Sequence, residues 1–242
     1  MKYIQIEASP VYIVGDLHDK PSSLIDKVKE LNLHNCNIFF VGDMNFVEAE
    51  ASIQLFSELD KELFEREINS YVIRGDLDNP HLWNNLDFWK NFQSFKPVDS
   101  STRLKINGNI GIIIDGASTL LSKNETKIWP DCNKPSLPFD YVDLGESLKN
   151  IDFVIGHGGP ILSDFFKFQK GYENYLKEGL LHPDLAEEQK IYRQLLQRYR
   201  PKRWYCGHYH ISKQTKYVWD NWSNDGVINI KIINEGEILR IA

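Results

Sequence analysis

The sequence predicts an α/β fold built on a largely parallel sheet. Three observations predict it. Short apolar runs end three times in Gly-Asp, at Gly15-Asp16, Gly42-Asp43 and Gly75-Asp76. Segments of helical periodicity separate those runs, which is the pattern of successive βαβ units. No Ser/Gly linker, fixed-period repeat or low-complexity stretch interrupts the chain, so residues 1–242 read as a single domain.

Val11–Val14 reads as the first strand, closed by Gly15-Asp16. Pro21 then stands where a helix favours its first residue, and Leu24, Ile25, Val28 and Leu31 follow at helical spacing. Ile38–Val41 is a second buried strand. Ile53, Phe56, Leu59 and Leu63 form one face of a long second helix. Tyr71–Arg74 is the third strand. Later strands are expected at Gly111–Asp115, Asp152–Ile155 and Arg203–Cys206, with Val227–Ile233 and Ile238–Ile241 read as a hairpin around Asn234–Glu237. Lys123–Leu137, with Pro130 and Pro135, reads as a surface loop. From Ser163 to Arg200 the pattern is helical. Asp184 and Glu187 have capping-box spacing, and Tyr192, Leu195, Leu196 and Tyr199 share a face before Pro201.

Composition removes several function classes. Apolar residues make up 42% and charged residues 26%, a globular balance rather than a disordered or fibrous one. The formal charge of −6 argues against a surface that is a nucleic-acid footprint throughout, so extended nucleic acid is not an expected partner. MKYIQIEASP has no apolar leader core, and no stretch reaches the ~18 apolar residues of a membrane span. Cys36, Cys132 and Cys206 are odd in number and unclustered, which predicts free thiols and a cytoplasmic location.

The chemistry lies at the strand ends. In open α/β sheets the carboxyl ends of the strands share one crevice, so Asp16, Asp43 and Asp76 converge there. His18 follows Asp16 by two residues, His157 follows a later strand in IGHGGP, and His208 and His210 follow the next in CGHYH. Three carboxylates together repel one another and resist ionisation, whereas divalent cations hold them and the imidazoles deprotonated. Seven such groups exceed one tetrahedral site and suit two metals ~3.5–4 Å apart. A Gly-His-x-His run occurs by chance only about 0.01 times in a chain of this composition, so GHYH carries more weight than Asp-x-His alone.

The ordered series GDLH, GD in VGDMN, RGDLDNP, GHGGP and GHYH resembles the motif series of the calcineurin-like metallophosphoesterase superfamily, from Gly15 to His210. The resemblance implies a four-layer αββα sandwich of two mixed sheets flanked by helices, with the metal site at the strand carboxyl ends. By position it implies that Asp16, His18 and His210 hold a first metal, Asp43 bridges, and His157 and His208 hold a second. Asp76 stands where the family has asparagine. The activity implied is hydrolysis of a phosphate mono- or diester by a hydroxide held between two divalent ions. Mn, Fe or Zn suit four imidazoles better than Mg. A phosphorylated small molecule or nucleotide is the expected substrate.

Departures from the family pattern matter. Phe46 and Val47 occupy the place of an Asp-Arg pair common in the family, which argues against the protein-phosphatase branch. Asp19 follows His18 where glycine is common. Leu77 replaces the family histidine credited with protonating the leaving group, and leucine has no proton to give. Asp78, which matches the family acidic residue, and His81 are the candidates for that catalytic role. Asp78 also reads as a turn former, and His81 as a surface histidine after Pro80. Leu77 supports a competing class, a binding or regulatory protein that keeps the metals but turns over little. With three carboxylates against two divalent ions the site would keep about +1 rather than the family's +2.

Three further features have two readings each. Eight Lys/Arg and no Asp/Glu lie between Lys190 and Tyr217, either steering phosphorylated substrates or forming a solvated helix face. Phe165, Phe168, Tyr172 and Tyr175 form an aromatic stripe, either core or a lid or dimer element. Trp219 and Trp222 read as sheet-edge packing rather than base-stacking platforms.

Overall fold

The computed structural model describes residues 2–100, 102–116, 151–160, 183–218 and 227–242. The loop expected at Lys123–Leu137, Cys132, the aromatic stripe and Trp219 and Trp222 lie outside them, as does the expected helical segment before Pro183.

In chain order the strands are β1 (Lys2–Ile6), β2 (Val11–Val14), β3 (Asn37–Phe40), β4 (Asn69–Ile73), β5 (Phe95–Val98) and β6 (Thr102–Ile106). They continue with β7 (Asn109–Ile114), β8 (Phe153–Gly156), β9 (Arg203–Cys206), β10 (Lys213–Val218), β11 (Val227–Ile232) and β12 (Ile238–Arg240). The helices are α1 (Pro21–Glu30), α2 (Ala49–Glu65), the single turns α3 (Pro80–Trp83) and α4 (Leu86–Trp89), and α5 (Pro183–Tyr199).

Two mixed sheets result. One has seven strands in the order β1-β6-β7-β8-β9-β11-β10, the other five in the order β12-β2-β3-β4-β5. In the second, β2, β3, β4 and β5 run parallel, joined where α1 and α2 cross over between the first three. In the first, β7, β8, β9 and β11 run parallel.

Side-chain alternation along the strands builds the layers. Ile13, Phe39, Val41 and Ile73 of one sheet meet Leu104, Ile113, Phe153 and Ile155 of the other in an apolar core between the sheets. Residues of opposite parity, Val14, Ile38, Phe40 and Val72, pack outward under Leu24, Val28, Phe56, Leu59 and Leu63 of α1 and α2. On the far side, Ile112, Val154, Trp204 and Ile230 pack under Tyr192, Leu195, Leu196 and Tyr199 of α5. Three cores between four layers make the αββα sandwich.

The expected C-terminal hairpin does not form. β11 lies in the seven-stranded sheet between β9 and β10, whereas β12 runs antiparallel to β2 in the other sheet. Asn234–Glu237 is therefore a crossing between sheets. It is seated by Gly15 N–H donating to the Glu237 carbonyl (3.1 Å) and Gly236 N–H to the Asp16 carbonyl (2.8 Å). The two arms bury apolar faces in different cores, Ile230 and Ile232 beneath α5 and Ile238 in the core beneath α1 and α2. A hairpin would force both faces into one sheet.

β1, β5, β6 and β10 had no apolar run to mark them. β1, β10 and β5 are edge strands, and β6 lies one place in. Edge strands meet solvent, so Lys and Gln interleave with their apolar residues and β5 tolerates Pro97.

Candidate metal centre

The carboxyl ends of β2, β3, β4, β8 and β9 meet at one edge of the crevice between the sheets, and each delivers acidic or imidazole groups there. Two sets of donor atoms form, each within 4.8 Å: Asp16, His18, Asp43 and His210, and Asp43, Asp76, His157 and His208. All seven groups singled out in the sequence as metal ligands thus come together, and Asp43 belongs to both sets.

Glycine before a ligand has a steric cause. Gly42 has φ +102°, and a Cβ there would sit 2.3 Å from His157 Nδ1. A Cβ on Gly75 would sit 2.1 Å from Asp43 Oδ1. Only glycine lets these loops close over the ligands. The donor residues themselves are strained: His18, Asp43, His208 and His210 all have φ between 44° and 64°. Non-glycine residues enter that region at a cost of roughly 1–2 kcal/mol each, and such strain gathers where a site dictates side-chain direction. Cross-loop hydrogen bonds hold the loops there. The Asp43 carbonyl accepts from His18 N–H (2.7 Å) and Leu17 N–H (3.3 Å). Asp16 accepts the His208 N–H with both carboxylate oxygens (3.0 and 2.8 Å).

Electrostatics show what the cluster favours. Asp43 is 2% exposed, and burial with the negative charge of Asp76 and Asp16 pushes its carboxyl well above the usual range. Burial also works against ionisation of Asp76, but the charges and hydrogen bonds of His208 and His157 hold it well below that range. For Asp16 the opposing burial is likewise overcome by His157, His210 and the His208 N–H. Burial lowers His18, whereas the Asp16 hydrogen bond raises His210. Burial opposes a charge on His157, yet Asp43, Asp16 and Asp76 raise it well above the ordinary imidazole value. One His157 nitrogen, Nδ1, lies 2.7 Å from the Val41 carbonyl and is oriented to donate to it. Its Nε2 then faces Asp76 Oδ1 at 2.7 Å and Asp43 Oδ1 at 3.5 Å. A carbonyl behind the ring is the usual device for aiming an imidazole lone pair at a metal. The two Nε2 atoms of His18 and His210 likewise face each other at 3.1 Å. Crowded carboxylates and opposed lone pairs are relieved together by cations, so the donor set fits a divalent metal centre.

The two catalytic candidates fall elsewhere. Asp78 is fully buried. Its Oδ2 accepts Gly75 N–H at 2.8 Å and its Oδ1 accepts Phe46 N–H at 3.1 Å, so it ties together the loops that carry Asp43 and Asp76. His81 is exposed in the first turn of α3, where its N–H donates to Asn79 Oδ1 (2.9 Å), and it joins neither donor set. Leu77 contributes its backbone, with its N–H on Asp43 Oδ1 at 3.0 Å. Phe46 packs edge-on against Phe56, Phe88 and Trp89 at 5.0 to 5.5 Å, which explains an aromatic residue there: the position feeds the helix-side core.

The family model for calcineurin-like phosphoesterases matches residues 9–212, which include all seven donor residues. The chain belongs to the calcineurin-like phosphoesterase family. Solved structures align with this chain at low identity. One aligns over 96% of this chain and 95% of its own at 14% identity with a TM-score of 0.54, a likeness of fold. The protein TT1561 of Thermus thermophilus aligns over 95% and 90% at 10% identity and TM-score 0.49. AQ665 from Aquifex aeolicus aligns over 96% and 95% at 8% identity and TM-score 0.46. No curated protein matches the sequence.

Sequence reasoning missed residues around this site. Glu235 lies close enough for its charge to act on His18 and His210, and it holds Lys20 at 2.6 Å. Read as a hairpin turn, Asn234–Glu237 gave no sign of reaching the site. Part of the basic segment lies away from it: Arg200, Lys202 and Arg203 sit at the amino-terminal end of β9, and His208 follows its carboxyl end.

Proposed function

We propose that this chain is a metal-dependent phosphoesterase that hydrolyses a phosphorylated small molecule or nucleotide. The observation that carries the reading is the pair of Asp2His2 donor sets joined through Asp43. Two divalent ions, of the Mn, Fe or Zn type, supply the Lewis acidity and activated water that phosphate-ester hydrolysis needs. Asp16, His18 and His210 would hold one ion and Asp76, His157 and His208 the other, with Asp43 shared between the two donor sets. The Leu77 N–H and the strained turn at Asp43 fix the shared carboxylate, so the ligands are pre-formed rather than gathered on binding. Leu77 gives the departing oxygen no proton. Nitrophenolate esters should therefore react far faster than alkyl esters, by up to the ~10²–10⁴-fold that general acid help supplies. Equal rates on both would mean that another group donates.

The same Leu77 favours a second reading, a binding or regulatory protein that retains the metals without turnover. Metal content by elemental analysis, together with hydrolysis of bis(p-nitrophenyl) phosphate under Mn, Fe and Zn supplements, separates the two. Bound metal with hydrolysis supports the enzyme, and bound metal with no hydrolysis under any supplement supports the binding protein. A cytoplasmic setting accords with buried, unbridged Cys36 and Cys206. No described helix is long and apolar enough to cross a membrane.

A further inference from the structure

Charge around the ligands bears on which phosphate ester the site accepts. Asp16, Asp43 and Asp76 are 1%, 2% and 4% exposed, so three carboxylates are committed to the cluster. Against two divalent ions they leave about one positive charge. The surroundings subtract more. Asp78 is buried close enough for its charge to act on Asp43, and Glu235 acts on His18 and His210. Nearby cations already face carboxylates. Lys20 Nζ is 2.6 Å from Glu235, and Arg74, next to the Gly75-Asp76 turn, directs Nη2 towards Asp115 at 3.7 Å. The cluster of Arg200, Lys202 and Arg203 lies at the opposite end of β9. A bound ester would thus meet metal charge that is mostly cancelled, with Lys20 and Arg74 already facing carboxylates.

We propose that Asp76, as the third buried carboxylate of the metal cluster, makes this a site for phosphodiester monoanions in preference to phosphomonoester dianions. Asp76 Oδ1 touches both His157 Nε2 (2.7 Å) and His208 Nδ1 (3.1 Å), so its charge lies within the ligand shell of one ion. Each extra negative charge on the ester meets that carboxylate at roughly 5 Å, and at an effective dielectric between those of the protein surface and water it is worth about tenfold or more in affinity. A dianion bears that penalty twice and a monoanion once.

The inference rests on the phosphoesterase reading, and its test separates the two. Wild type and Asp76→Asn are loaded with Mn, and two metal equivalents are confirmed by elemental analysis. At about pH 8, well above the second phosphate pKa of about 6, monoesters are dianions. Two quantities are read: the ratio of kcat/KM for bis(p-nitrophenyl) phosphate to that for p-nitrophenyl phosphate, and calorimetric affinities for diethyl phosphate and inorganic phosphate. The wild-type ratio should exceed one. Asp76→Asn should move it towards the monoester by about tenfold and tighten inorganic phosphate more than diethyl phosphate. A wild-type preference for the monoester, or an Asp76→Asn variant with unchanged ratio and affinities, overturns the proposal. If Asp76→Asn keeps fewer than two metals, the wild-type ratio decides alone. If neither ester is hydrolysed the phosphoesterase reading fails, while tighter wild-type binding of inorganic phosphate than of diethyl phosphate would still refute the charge preference.

Discussion

Replacing Asp78 by alanine separates a structural clamp from a proton donor. The carboxylate is fully buried and accepts two backbone N–H groups, Gly75 at 2.8 Å and Phe46 at 3.1 Å. Alanine leaves both donors buried without an acceptor, at roughly 1–3 kcal/mol each. Removing a carboxylate whose own ionisation burial disfavours gives part of that back. The net loss should be about 3 kcal/mol of unfolding free energy, read from urea titrations as a lower midpoint at unchanged slope. Asp78→Asn keeps one carbonyl oxygen, satisfies one donor and should lose about half as much. Because the two loops carry Asp43 and Asp76, metal affinity should fall about 10–100-fold in the alanine variant and less in the asparagine one. A proton donor would behave otherwise. Asn would then remove the alkaline limb of the pH–rate profile while leaving metal affinity and stability at wild-type values, and that outcome would refute the clamp.

Other outcomes follow from the same physics. Gly42→Ala places a Cβ 2.3 Å from His157 Nδ1 in a turn with φ +102°, so the variant should lose metal as judged by elemental analysis and unfold at lower urea. Asp60 accepts N–H groups from Gln93 (2.8 Å), Ser94 (2.8 Å) and Phe95 (3.2 Å). Asp60→Ala should therefore cost about 3 kcal/mol in denaturation while leaving metal stoichiometry intact. Burial pushes the Cys36 thiol up to about 11 from 9.0. The native state then keeps a proton that the unfolded chain releases, so stability is level below pH 9.0 and falls as pH rises towards 11. Burial raises the Cys206 thiol as well, so Cys36→Ala should make that limb shallower without abolishing it, and an unchanged slope would remove Cys36 as a source.

Much of this fold is legible locally. The runs Val11–Val14, Ile38–Val41 and Tyr71–Arg74 are apolar on both faces because each of these strands has a layer above and a layer below. Helical spacing in α1 and α2 is equally plain, since one face of each meets the sheet. The edge strands were harder, because half of their surface faces water and Lys2–Ile6 and Lys213–Val218 carry charged residues between apolar ones. Phe46 was read only as a missing Asp-Arg position. Its contacts with Phe88 and Trp89 bridge a long stretch of chain and leave no periodic trace.

By itself the sequence determined which side chains stand at the strand ends, because a buried strand, its glycine stop and the ligand that follows are neighbours in the chain. Tertiary structure alone decided how those side chains group. It made Asp43 common to both donor sets, set Asp76 against His157 and His208, and turned Asp78 into a clamp. It also carried the chain from one sheet to the other at Asn234–Glu237, bringing Glu235 to the site. Those outcomes depend on distances of a few ångströms between residues remote in the chain, such as Asp16 and His208, whose bond has a sequence separation of 192. Only the packing of two sheets against each other sets such distances.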